Sequence, residues 1–201
     1  MTPTFKDFAL LYDYSLWEKA VQAFFCDPVQ GGGVFVGAPD EHDPKREEWC
    51  PPNGQIAFFT AFEAATLQRA RPRVSISPIS YRPYNEKALV RDANGRAQNR
   101  AWDVPLEFTV ITKNDYAYFT SVLAQVRAII SQMMPVAIYG QLQTTGLNPF
   151  LTVHELSKIW DAGNSLNIGQ TIDKGAFVGQ IKYNATFAVQ DAFWPGGINN
   201  A

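Results

Sequence analysis

The chain has 201 residues, 46% hydrophobic and 18% charged, with 14 Phe, 8 Tyr and 5 Trp, a composition that excludes disorder and suits one domain with a proper core. Seventeen basic against 19 acidic residues leave a net charge of -2 and a pI near 5.7, which gives the chain as a whole no drive toward nucleic acid or an anionic membrane. Two cysteines, Cys26 and Cys50, are too few for a disulfide framework, and no apolar run approaches the roughly 20 residues of a membrane span.

The N-terminal stretch MTPTFKDFALLYDYS lacks an apolar run with a small-residue cleavage site, so no secretory signal is expected and the protein is expected to be assembled in the cytoplasm. Ser15-Leu16-Trp17-Glu18 has capping-box spacing, and Leu16, Ala20, Ala23 and Phe24 recur at helical intervals until Asp27-Pro28. This predicts a short first helix. Residues 29–54 are rich in Gly, Pro and charge and read as a long loop with one short strand at Val34 to Val36. Within it, Gly31-Gly32-Gly33 follows a helix and leads into β-like sequence, the wrong context for a phosphate-cradling loop. Asp40, Glu41, His42, Asp43, Glu47, Glu48 and Cys50 lack the disciplined His/Cys spacing of a zinc site and read as a solvated charged loop.

From Gln55 to Arg71 a strand-like IAFFTAF runs into helix-like EAATLQRA. In Arg73 to Tyr81, Val74 and Ile76 alternate with Ser75 and Ser77, and a parity change across Pro78 predicts a bulge at Ser77-Pro78. Beyond residue 103, Val104, Leu106, Phe108 and Val110 alternate as a partner strand. Between the two lies a polar arm, residues 82–100. Five Arg/Lys stand there against two acids, giving +3, so the rest of the chain carries -5. An Asn94-Gly95 two-residue turn would pair positions summing to 189, setting Tyr81 opposite Phe108 and Ile79 opposite Val110. Such an arm projects about 30 Å. Tyr81, Arg82, Tyr84, Lys87, Arg91, Arg96, Arg100 and Trp102 along it are residue types enriched at interfaces and form the candidate subunit-contact set.

The strongest helical pattern runs from about Asp115 to Met134, with Tyr116, Phe119, Val122, Leu123, Val126, Ile129, Ile130 and Met133 in one stripe, Asn114 as cap and Pro135 beyond its end. Three strands follow, Leu151 to Trp160, Leu166 to Ile172, and Phe177 to Val189, with turns at Asp161-Ala162-Gly163-Asn164 and Asp173-Lys174-Gly175. His154 falls on a polar strand face, with no nucleophile in a recognisable elbow beside it. The order predicts a single α+β domain over 1–201: an antiparallel or mixed sheet packed against an N-terminal and a long central helix, with a protruding hairpin and a flexible tail over 192–201. No catalytic, cofactor-binding or metal-binding residue is expected.

The RPRVSIS strand, the polar hairpin, the return strand VPLEFTVIT, the amphipathic helix and the closing FVGQIKYNATFAV resemble the tail terminator proteins of long-tailed bacteriophages, over Ser15 to Val189. The resemblance implies a structural virion protein. It implies a homo-oligomeric ring, usually a hexamer, that caps the tail tube protein and offers a joining surface to head-completion or neck proteins, leaving room for DNA to pass without sequence-specific binding. The hairpin would become ordered on assembly, about Pro83 through Ala101, and no cofactor or enzyme activity is implied. The long 29–54 loop and the Pro135 to Pro149 insertion depart from the smaller members, so another neck, tail-tube or baseplate ring component is the first alternative. A small α+β hydrolase or ligand-binding domain, with its pocket against the Asp115 to Met134 helix, is the alternative of a different class.

Overall fold

A computed structural model of the chain describes residues 14–67, 70–77, 82–83, 90–91, 97–98, 101–113, 115–132, 158–165 and 176–188. The elements are, in order, helix α1 (Tyr14–Cys26), strand β1 (Phe35–Val36), a 3-10 turn (Arg46–Glu48), β2 (Ile56–Phe59), α2 (Ala61–Thr66), β3 (Arg73–Ile76), β4 (Arg82–Pro83), β5 (Val90–Arg91), β6 (Ala97–Gln98), β7 (Ala101–Lys113), α3 (Tyr116–Gln132), β8 (Lys158–Ser165) and β9 (Ala176–Ala188). The architecture is mixed α+β.

Among the described residues the main sheet runs β1-β2-β3-β7-β9-β8, with β4 also paired to β7. It is mixed because β1, β2 and β3 are mutually parallel while every other pairing is antiparallel. Parallel neighbours require a crossover connection. Between β2 and β3 that connection is α2, which turns the ambiguous 55–71 segment into a strand, a cap and a helix. The backbone of the sheet is the β7–β9 pair, matched over thirteen residues from Ala101 opposite Ala188 to Lys113 opposite Ala176.

Alternation decides the faces. Leu106, Phe108 and Val110 of β7, Val74 and Ile76 of β3, and Ile181 and Tyr183 of β9 enter one core with Phe35, Ile56 and Phe58. Two helices cover that face, α1 through Trp17, Ala20, Val21, Phe24 and Phe25, and α3 through Phe119, Val122, Leu123, Val126 and Ile130. Phe25 sits at its centre, stacked on Phe58 at 4.4 Å and edge-on to Phe35 at 5.2 Å. The opposite face carries a smaller cluster, Ala57, Phe59, Leu67 and Ala70, with Trp49 and Ala64 packed against it.

Two glycines permit close approach. A Cβ on Gly31 would fall 1.8 Å from the Phe25 carbonyl oxygen, where the chain folds back on the end of α1. A Cβ on Gly179 would fall 2.7 Å from Phe119 Cζ, so the bare β9 backbone is the floor on which that ring lies.

Several expectations change. Positions in β3 and β7 pair with a sum of 184, so Phe108 faces Ile76 and Val110 faces Val74, not Tyr81 and Ile79. Arg82 opposite Asp103 sums to 185, and Pro78 of the expected Ser77-Pro78 bulge lies outside the described residues. Val90 pairs with Gln98 and Arg91 with Ala97, each summing to 188 and not 189, while Asn94-Gly95 lies outside the described residues. Asp161 to Asn164 is not a turn: β8 runs through it, with a register irregularity between Asp161 and Gly163 absorbing the small residues. Asp115, not Asn114, caps α3, its Oδ1 accepting from the Tyr118 N–H at 3.0 Å. The expected Leu166 to Ile172 strand, His154, Met133, the Asp173-Lys174-Gly175 turn and the 192–201 tail lie outside the described residues.

Candidate functional site

Of the eight arm residues singled out in the sequence, Arg82 opens β4 opposite Asp103, Arg91 lies in β5 opposite Ala97, and Trp102 lies in β7 opposite both Pro83 and Phe187. Tyr81, Tyr84, Lys87, Arg96 and Arg100 lie outside the described residues. Arg91 and its β6 partner belong to a two-stranded sheet separate from the main one, while Arg82 and Trp102 belong to the main sheet.

A polar cluster that the sequence pattern did not reveal joins α1 to the β2–α2 corner. Thr60-Ala61-Phe62-Glu63 is a complete capping box: Glu63 N–H donates to Thr60 Oγ1 at 3.3 Å, and Thr60 N–H donates back to Glu63 Oε2 at 2.9 Å. The same oxygen accepts from Gln22 Nε2 at 2.7 Å, and Gln22 also donates to the Phe58 carbonyl. Arg46 Nη2 lies 3.9 Å from Glu63 Oε1, with both side chains largely buried. Glu18, only 8% exposed, accepts from the Ala61 N–H at 2.9 Å. The expected Ser15–Glu18 box is therefore not the cap of α1: Ser15 already lies inside the helix, and Glu18 serves the N-terminus of α2. Burial, and next the Glu63 charge, push the nearby Cys26 thiol up to about 12, which keeps it neutral and unreactive. Cys26 and Cys50 are both free.

On the sheet face opposite α1 and α3, the described residues enclose an open groove of about 1340 Å³. One wall is the Cys50–Gln55 loop, another is Arg71-Pro72-Arg73 at the entry to β3, and the floor includes Thr109 and Ile111 of β7 with Val178 of β9. Asp115 and Tyr118 close it from the start of α3. The Pro72 carbonyl accepts from Ala57 N–H at 3.0 Å, which ties the arginine pair to β2. Arg73 Nη1 donates to the Leu67 carbonyl at 2.8 Å. Burial, and next the charge of Arg71, lower the proton affinity of the Arg73 guanidinium. Burial likewise raises the Tyr118 phenol above its ordinary value. The sequence signal for this groove was the Arg71-Pro72-Arg73 triplet, which reads as the ragged start of a strand.

Among the described residues no three His, Cys, Asp or Glu side chains converge to hold a metal ion, and no helix is long and apolar enough to cross a membrane. In the 40–50 loop, Asp40 and Asp43 are spent on local turns, accepting from the His42 and Lys45 N–H groups at 2.8 Å each. No protein-family model and no curated protein matches the chain.

Proposed function

We propose that the chain is a structural subunit of a long-tailed phage tail, of the tail-terminator type: a homo-oligomeric ring, hexameric in the leading version, that caps the tail tube and offers a joining surface to head-completion proteins. The observation that carries the reading is the chain doubling between β3 and β7. Arg82–Pro83 pairs with the first residues of β7, and farther out Val90–Arg91 pairs with Ala97–Gln98 in a sheet of its own. A basic segment that pairs with itself apart from the main sheet is suited to reach a neighbour, with Arg82, Lys87, Arg91, Arg96 and Arg100 meeting acidic surface. The order of helix, strands, arm, long strand, helix and closing strand supports the same family. In this reading the subunit works in the virion through binding surfaces alone, with no catalytic residue and no cofactor.

Light scattering and electron microscopy of the purified protein, alone and with tail-tube subunits, test it. Rings or tube-end caps are expected, whereas a strict monomer that never joins the tube would sink it. Deleting residues 86–98 should leave a folded monomer and abolish assembly; unimpaired assembly would remove the arm from the interface. The second reading, a ligand-binding α+β domain, draws on the groove, which reaches the first turn of α3 through Tyr118.

A further inference from the structure

We propose that the groove beneath β3, β7 and β9 binds an organic oxyanion, its carboxylate or phosphate head held by Arg71 and Arg73 and its apolar body lying over Ile111 and Val178. The inference stands independently of the assembly reading. Arg71 and Arg73 flank Pro72 at the entry to β3, and both line the groove. Their charges are close enough for Arg71 to depress the proton affinity of Arg73. Two guanidinium groups that repel in a partly dehydrated site are each stabilised by an anion between them, and the planar fork of arginine matches a carboxylate or phosphate edge.

One Nη of Arg73 is committed to the Leu67 carbonyl, which holds the guanidinium in place at the groove wall. Lys113 adds a third positive charge to the lining, and the one acid among the described lining residues, Asp115, is occupied in capping α3. The described lining is thus +2 in a chain of -2. At about 1340 Å³ it is far too large for a lone inorganic ion, and its floor mixes Thr109 with Ile111 and Val178, so the fitting ligand has an apolar part beside its charged head.

The test is isothermal titration calorimetry on the full chain at constant ionic strength with acetate, octanoate and inorganic phosphate. Octanoate should bind at least about tenfold tighter than acetate, the equivalent of a few buried methylenes. Arg71→Gln and Arg73→Gln should each weaken binding at least about tenfold, the loss of one charge-assisted contact. Lys19→Gln, on the exposed side of α1 across the sheet, should leave it unchanged. Because Arg73 also holds the Leu67 carbonyl, circular dichroism accompanies each variant, and Arg71→Gln with Lys113→Gln carries the test where Arg73→Gln fails to fold. Phosphate binding tighter than either carboxylate identifies a phosphoryl head. Octanoate no tighter than acetate overturns the apolar body. No binding of any of the three, or binding indifferent to Arg71→Gln, overturns the site.

Discussion

Replacing Glu63 by alanine removes the acceptor on which the α1–β2–α2 corner converges. Its Oε2 takes the Thr60 N–H at 2.9 Å, the Gln22 amide at 2.7 Å and the Thr60 hydroxyl at 3.2 Å, while Oε1 faces Arg46. Losing the reciprocal half of the capping box costs about 1 kcal/mol. Gln22 keeps its bond to the Phe58 carbonyl, so its stranded second donor adds about 1–2 kcal/mol for a charged-acceptor hydrogen bond lost in a half-buried setting. Arg46 retains the Pro39 carbonyl at 2.9 Å, and at 3.9 Å it is beyond hydrogen-bond distance of Glu63, so that contact adds little. The expected loss is about 2–3 kcal/mol, a fall in Tm of roughly 4–12 °C for a chain of this length. Urea melts followed by circular dichroism measure it. Glu63→Gln, which keeps one carbonyl acceptor, should lose about half as much, and a Gln22/Glu63 double-mutant cycle should show about 1 kcal/mol of coupling. A Glu63→Ala loss below about 0.5 kcal/mol, with no coupling to Gln22, would refute the claim that this carboxylate ties the corner together.

Other outcomes follow from the same geometry. Gly179→Ala places a methyl 2.7 Å from Phe119 Cζ, in a ring pair stacked at 5.6 Å with Phe177, and should cost about 1–3 kcal/mol by thermal melt. Partial recovery in Gly179→Ala/Phe119→Leu would locate the clash, and an unshifted Tm for Gly179→Ala would deny it. Iodoacetamide at pH 8 should alkylate exposed Cys50 well before Cys26, whose thiol is pushed up to about 12 by burial and then by Glu63; equal rates by mass spectrometry would contradict this. Since that pKa lies above the ordinary value of 9.0, the unfolded chain releases the Cys26 proton first, so the contribution is intact below pH 9 and is lost between pH 9 and about 12. Cys26→Ala should therefore flatten the alkaline fall in stability across that window. Glu107 and Lys182 face each other on β7 and β9 at 3.0 Å, both more than a third exposed, so Lys182→Glu should cost only about 0.5–1 kcal/mol and less in high salt. A salt-independent loss would point to packing instead.

Where a pattern is local and one-sided, the sequence was enough. Leu106, Phe108 and Val110 had to share a face because side chains alternate along a strand, and Phe119, Val122, Leu123 and Val126 had to share one because a helix repeats every 3.6 residues. Each run found its core. Asp27-Pro28 ended α1 as read, with Asp27 Oδ1 accepting from the Val29 and Gln30 N–H groups. Capping signals were less decisive. Ser15-Leu16-Trp17-Glu18 and Thr60-Ala61-Phe62-Glu63 carry the same spacing, but Ser15 lies inside α1, which starts at Tyr14, while Thr60 directly precedes Ala61 and takes the capping position of α2.

The sequence by itself thus determined the α+β class, the two core-facing helices and the strand faces, since periodicity needs no partner to be legible. Tertiary structure decided who pairs with whom. The parallel β1-β2-β3 order, the sum of 184 in place of 189 between β3 and β7, and the meeting of Arg71 and Arg73 with Lys113 across a groove all depend on contacts far apart in the chain. A strand can slide by two residues and keep the same side chains on the same face, so only the shared core and the crossover through α2 select the register. The oxyanion groove follows from that selection, because three cations scattered over forty residues become neighbours only once β3 lies beside β7.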